Sequence, residues 1–231
     1  MRGILAVAAA ALACGACGGS SHTTTRTVVS TPTTTATTTA TRSTTTTPAS
    51  KPKPNPGSLP QTDQLPSAGT AQFHAEMAAL WSGVAGDSLQ AAMTAFFPEG
   101  AYAQVKAIAD PQADYMSRLV GDYQLDLGAA HALLGSEPRA ATLVGVDVPE
   151  SYAHWVSPGA CYNRIGYYEV PNARVVYRQQ GVVRSFGIAS MISWRGVWYV
   201  VHLGAVLRPS AAGVVDDPST GPGESAPSST C

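Results

Sequence analysis

Ser185-Phe-Gly-Ile-Ala-Ser-Met-Ile-Ser-Trp-Arg-Gly-Val-Trp-Tyr-Val-Val-His-Leu203 is the stretch on which the fold turns. Its first ten residues are apolar or small throughout. That is the pattern of a strand covered on both faces. Arg195-Gly196 is a two-residue turn signal, and Val197 to Leu203 supplies the β-branched and aromatic residues of a second strand. Strands joined by so short a turn can pair only antiparallel. Gly187 and Ala189 are small enough to let a helix lie close above the sheet.

Upstream, the hydrophobic period stays near two as far back as residue 142. The long strand begins at Val182, after a Gln180-Gly181 turn. Ala173 to Arg178 precedes it, and Pro171-Asn172 reads as a turn joining that strand to Arg164–Val170. Thr142, Val144, Val146 and Val148 share one face of the first strand. Before Gly135 the period is helical, and four helices are expected. Phe73, Met77, Leu80, Trp81 and Val84 mark the first, capped by Thr70. The second opens at Asp87-Ser-Leu-Gln90, with Asp87 as its cap. The third runs from Ala101 to Ala109, with Tyr102, Val105 and Ile108 on one side. The fourth starts at Asp110-Pro111 and follows Tyr115, Leu119, Tyr123, Leu127, His131 and Leu134. The fold class is therefore α+β, with N-terminal helices packed on a curved antiparallel meander.

This domain spans residues 68–207, roughly 140 residues and near the usual size of one domain. Residues 18–67 are nearly all Thr, Ser, Pro and Ala, too poor in apolar surface to offset the entropy of ordering, and read as a disordered tether. A flexible chain of about fifty residues spans ~40 Å and reaches ~150 Å when fully extended. Thr/Pro-rich tracts resemble O-glycosylated stalks. The Gly/Pro/Ser-rich segment 208–231 reads as a disordered tail. The formal net charge of -1 gives no basic face for nucleic acid.

Residues 1–17 form a targeting segment. Arg2 gives a positive start, and Ile4 to Ala13 is an unbroken apolar run. As a helix that run rises only ~15 Å against a ~30 Å bilayer core, so it is a signal-peptide core and not a spanning helix. Small residues surround two cysteines, in Ala11-Leu12-Ala13-Cys14 and Gly15-Ala16-Cys17-Gly18-Gly19-Ser20-Ser21. This segment resembles a bacterial lipoprotein signal, in which a lipobox ends in an acylated Cys. Cys14 has the better-fitting preceding residues and Cys17 the more typical sequel, so the attachment site is Cys14 or Cys17. The resemblance implies export and lipid anchoring on the outer face of the cell membrane.

The helices followed by Met191-Ile-Ser-Trp-Arg-Gly-Val-Trp-Tyr-Val-Val-His-Leu203 resemble the cone-shaped nuclear-transport-factor-2-like fold over about Ala71 to Leu203. A cystatin-like sheet wrapped on a helix is the alternative. Phe96-Phe-Pro98 with Ala101-Tyr-Ala-Gln-Val-Lys-Ala-Ile108, Leu143-Val-Gly-Val-Asp-Val-Pro149 and Ser190-Met-Ile-Ser-Trp-Arg-Gly-Val-Trp-Tyr-Val-Val-His202 are similar to segments of actinobacterial lipoproteins without an assigned activity. Cone-fold enzymes use carboxylates and Tyr inside the cone. The resemblance therefore makes Asp122, His131 and His202 the catalytic candidates, and Tyr102, Lys106, Tyr123 and Arg184 the pocket candidates. Each has a plainer reading as a solvated face, a snorkelling helix edge or a strand-end surface group. No His/Cys/Asp set has metal-ligand spacing, and no cofactor is implied. Cys161 has three readings: a disulfide with Cys231, a buried free thiol, or a nucleophile.

Two functions follow. One is a non-catalytic envelope lipoprotein binding a small apolar ligand, a wall component or a partner protein. The other is a hydrolase or isomerase with a cone-shaped pocket.

Overall fold

The computed structural model describes residues 55–206, 208 and 211–228. The expected signal segment with Cys14 and Cys17, most of the expected tether, and Cys231 lie outside the described residues.

Among the described residues, five α-helices and six strands build an α+β body. α1 (Ala71–Gly86) starts where expected, with Thr70 Oγ1 accepting from the Phe73 N–H at 3.1 Å. The cap of α2 (Leu89–Ala92) is Ser88, not Asp87. Asp87 closes α1 instead, in the left-handed region at φ 48°. A short polar side chain tolerates that conformation, and the chain turns one residue later than the capping-box pattern implies. α3 (Glu99–Val105) begins earlier and ends sooner than its expected span. The expected fourth helix is one continuous rod in three parts: α4 (Pro111–Asp114), a π turn (Tyr115–Leu119) and α5 (Val120–Leu133). Asp110 caps it and Gly135, at φ 64°, lies just past its end.

The strands are β1 (Thr142–Asp147), β2 (His154–Val156), β3 (Tyr167–Gln179), β4 (Val182–Trp194), β5 (Val197–His202) and β6 (Asp216–Thr220). All pairings are antiparallel. β3 and β4 are the two long central strands. β1 and β2 share the outer edge of β3, while β5 and β6 share the outer edge of β4. Gln180-Gly181 and Arg195-Gly196 have positive φ at both positions. This is the turn geometry whose twist matches the flanking strands.

Two expectations fail here for physical reasons. Pro171-Asn172 is no turn, because β3 runs straight through it. Pro171 cannot donate to a neighbouring strand, but it falls in the gap where β2 has ended at Glu169 and β1 has not begun, at Arg174. The segment after residue 207 is also not loose along its described length. β5 covers β4 only from Ser190 to Trp194, and β6 pairs with β4 over Arg184, Ser185 and Gly187. An uncovered strand edge supplies backbone groups that need partners, and the tail meets that need. Its glycines serve close approach: a Cβ on Gly213 would lie 1.9 Å from the Leu125 carbonyl oxygen of α5. At the other end, Trp194 Nε1 donates to the Pro56 carbonyl at 2.8 Å and Gln61 Nε2 to the Ser193 carbonyl at 2.9 Å. The ordered body therefore begins by residue 55, ahead of the expected boundary at 68.

One face of the sheet carries Tyr167, Glu169, Ala173, Val175 and Tyr177 of β3 beside Phe186, Ile188, Ser190 and Ile192 of β4. The helices lie on this face, with the Trp81 ring 5.3 Å from that of Tyr177. One apolar cluster joins α1, α3, the long helical rod and the sheet, with Phe73, Leu80, Phe97, Leu119, Leu127 and Ile188 all nearly inaccessible. Among the described residues no helix is long and apolar enough to cross a membrane.

Candidate functional site

Between α3, the π turn and the helix-facing side of the sheet lies a cavity of about 200 Å³. α3 contributes Tyr102 and Val105, its C-cap Lys106 follows them, and the π turn contributes Arg118 and Leu119. Tyr167, Glu169, Ser190 and Ile192 come from the central strands, Val201 and His202 from β5, and Phe97 from the chain before α3. A bulge between Ser190 and Met191 places His202 opposite Ser190. Bulges re-aim side chains in this way, often beside sites.

Most of the polar groups here are tied to one another. Tyr102 donates its hydroxyl proton to Asp114 Oδ2 and accepts from Arg118 Nη2 at 2.7 Å. Arg118 Nε donates to Asp114 Oδ1 at 2.9 Å, and its Nη2 to Oδ2 at 2.6 Å. These bonds from Arg118 hold the Asp114 carboxyl below its usual range. Burial raises the Tyr102 hydroxyl, with its hydrogen bond to Asp114 adding to the effect. The same Arg118–Asp114 pair explains why a π turn is tolerated: it staples one turn to the next at i,i+4 spacing. On the sheet, Ser190 Oγ donates to Glu169 Oε1 at 2.9 Å, and Glu169 Oε2 lies 3.6 Å from His154 Nε2. Asn163 Nδ2 donates to the Tyr167 hydroxyl at 2.9 Å. Burial lifts that phenol to about 12.

Lys106 and His202 are engaged less fully. Lys106 Nζ donates to the Cys161 carbonyl at 3.0 Å. Burial pulls its pKa down, and the charge of Arg118 adds to that. His202 is pushed down to about 4, first by burial and then by the charges of Arg118, Arg208 and Lys106. Its imidazole is therefore neutral at pH 7 and presents one N–H and one bare nitrogen.

Of the catalytic and pocket candidates, Tyr102, Lys106 and His202 converge on this cavity, which Cys161 also lines, and Asp122, His131, Tyr123 and Arg184 do not. Asp122 sits on α5 facing the tail, 3.6 Å from Arg208 Nε. His131 Nδ1 donates to the Val84 carbonyl at 2.8 Å and ties α5 to α1. Tyr123 is core: its ring stacks on Phe96 at 3.7 Å and its hydroxyl donates to the Val200 carbonyl at 3.1 Å. Arg184 is exposed on β4, in register with Thr220 of β6. The reason is common to all four. A helix position fixes a direction, but the element that fills that direction comes from elsewhere in the chain.

Sequence reasoning missed Arg118, Asp114, Glu169 and Ser190. The Asp114–Arg118 spacing was a usable signal, as was Glu169, a lone acid in an apolar strand. Ser190 carried none.

Cys161 is disulfide-bonded, which removes the free-thiol and nucleophile readings. It has φ 46° and the next residue, Tyr162, φ 55°, two successive left-handed positions without glycine. Nearby, Ala160 shares a surface cleft with Pro227 and Ser228 of the tail, and Asn172 Nδ2 donates to Ser228 Oγ at 3.0 Å.

A second, more open groove of about 630 Å³ lies across the π turn from the cavity, walled by Glu76, Met93, Phe96, Tyr115, Met116, Val120 and Tyr199. Among the described residues no group of three His, Cys, Asp or Glu side chains could hold a metal ion.

Comparison with protein-family models, with curated proteins and with solved structures finds no match to this chain.

Proposed function

We propose that this chain is a lipid-anchored protein of the outer face of the cell membrane, whose domain is a cone of the nuclear-transport-factor-2-like kind and binds a small molecule without transforming it. The observation that carries the reading is the 200 Å³ cavity, in which an apolar wall faces His202, a ring with no hydrogen-bond partner among the described residues. A neutral imidazole can both donate to and accept from a ligand that enters the cavity. The volume lies below the ~300 Å³ at which drug-sized sites begin, so the ligand is small. The polar groups make it amphipathic, where sequence had suggested apolar.

Native mass spectrometry of the protein purified from its own host tests this reading. Wild type should carry a small adduct that an Ile192→Trp variant, folded but with the cavity filled, lacks. An adduct kept at equal occupancy in the variant sinks the proposal.

The anchor is tested separately. A Cys14→Ser, Cys17→Ser double variant should leave the membrane pellet, since acyl chains contribute ~0.8 kcal/mol per buried CH₂. Continued pelleting removes the lipid from the reading. We also assign Cys231 as the partner of Cys161, because Ser228 already lies beside Ala160. Two reactive thiols from these positions in denatured, unreduced protein would refute the pairing.

A hydrolase or isomerase is the second reading. Neutral His202 beside Tyr102, Tyr167 and a buried Glu169 favours it. Against it, the Glu169 and Asp114 carboxylates are held by Ser190 and by Arg118 and Tyr102, which leaves His202 without an acid to work with.

A further inference from the structure

Two donor side chains at the cavity keep spare hydrogen-bonding capacity. Arg118 commits Nε and Nη2 to Asp114 and Tyr102, and its Nη1 has no partner among the described residues. Lys106 makes one bond, to the Cys161 carbonyl, and an ammonium carries three N–H groups. His202 offers a further N–H. Asp114 and Glu169 each already accept from the chain. The Asp114 oxygens take Arg118 and Tyr102, and Glu169 Oε1 takes the Ser190 hydroxyl while Oε2 turns toward His154. Arg118 and Lys106 therefore keep N–H groups from which a ligand oxygen can accept.

The field at His202 has the same sign. Arg118, Arg208 and Lys106 all act against a proton on its ring, with Asp126 opposing them. Tyr102, Tyr167 and Ser190 also line the space and carry no charge at pH 7, while Glu169 lines it as a carboxylate and Asp114 is paired to Arg118. An anion placed there gains by direct hydrogen bonds from Arg118 and Lys106, which are stronger than bonds between neutral groups.

We propose that the cavity binds a small organic carboxylate. Its oxygens are taken by Arg118 Nη1, Lys106 Nζ and the His202 N–H, and its apolar body lies against Phe97, Leu119 and Ile192. The assignment rests on the cavity being the binding site. Arg118 is the exposed member, so it forms the mouth through which the carboxylate enters.

The test uses the full chain with Cys14→Ser and Cys17→Ser, and three probes: hexanoate, hexanamide and inorganic phosphate. Calorimetry gives affinity, and the His202 ring signals in NMR report occupancy. Hexanoate should bind at least tenfold more tightly than hexanamide and move the His202 signals. Arg118→Gln and Lys106→Met should each remove most of that preference. Equal affinity for hexanamide, with the His202 signals moving, overturns the carboxylate assignment and keeps the cavity as a binding site. Phosphate acting as well as hexanoate overturns the organic body. If none of the three moves the His202 signals, the carboxylate is refuted, and the Ile192→Trp adduct experiment decides the cavity on its own. The wild-type comparison needs no variant, so a misfolded mutant does not blunt it.

Discussion

Two of the arginine–aspartate pairs among the described residues are built from the same parts and used in opposite ways. At the tail end, Arg208 meets Asp126 through both terminal nitrogens, at 2.8 and 2.6 Å. Asp126 is 1% exposed and also accepts the Gly204 and Val214 N–H groups, each at 2.9 Å. Every acceptor position of that carboxylate is filled by the chain. At the cavity, Arg118 and Asp114 are partly open to solvent, with side-chain exposures of 46% and 26%, and Arg118 keeps a terminal nitrogen to spare. A saturated pair is a lock, and an unsaturated one presents something. The difference lies in how many backbone donors converge on the acid, which no single residue reveals.

The largest expected effect strikes the lock. Asp126→Ala leaves Arg208 without its main partner and strands two backbone N–H groups, and breaking such a pair costs about 3–5 kcal/mol. Denaturant unfolding measures it. A loss under about 1 kcal/mol would place this pair with ordinary surface pairs and erase the contrast.

Acid comes next. His202 is held at about 4 in the folded state, against an ordinary value of 6.5. Between those values the unfolded chain binds a proton that the folded chain does not. Stability should therefore fall as pH drops from about 6.5 to about 4 and change no further from this group below that. The full shift corresponds to about 3 kcal/mol at most. His202→Gln should flatten that part of the stability–pH curve. A variant with the same slope as wild type would show that the ring is not held neutral by its surroundings.

The smallest effect is expected at the open pair. Asp114→Asn should cost under about 1 kcal/mol, because the exposed charges are screened. The same change should alter hexanoate affinity by removing the acid that competes for Arg118. A loss matching that of Asp126→Ala would make both pairs locks.

Much of the fold was legible because it is written locally. The rhythm change near Gly135, the Arg195-Gly196 hairpin, the buried strand Val182–Trp194 and the caps at Thr70 and Asp110 each depend on neighbours a few residues away. Tyr102, Lys106 and His202 were legible as polar residues at the margins of apolar elements. The tail was not. Its Gly, Pro and Ser residues read as disorder, yet its order comes from the free edge of β4 and from Arg174, whose Nη1 meets Asp217 at 2.8 Å across 43 residues of chain.

Sequence alone determined that helices precede an antiparallel meander, because side-chain periodicity follows directly from backbone geometry. It also set the composition of the tether and the apolar run near the N-terminus. Tertiary structure alone decided which polar residues share the cavity, which aspartate became a lock, and that β3 passes straight through Pro171. Those outcomes depend on where separate segments meet, and burial and hydrogen-bond saturation are properties of the meeting rather than of either segment.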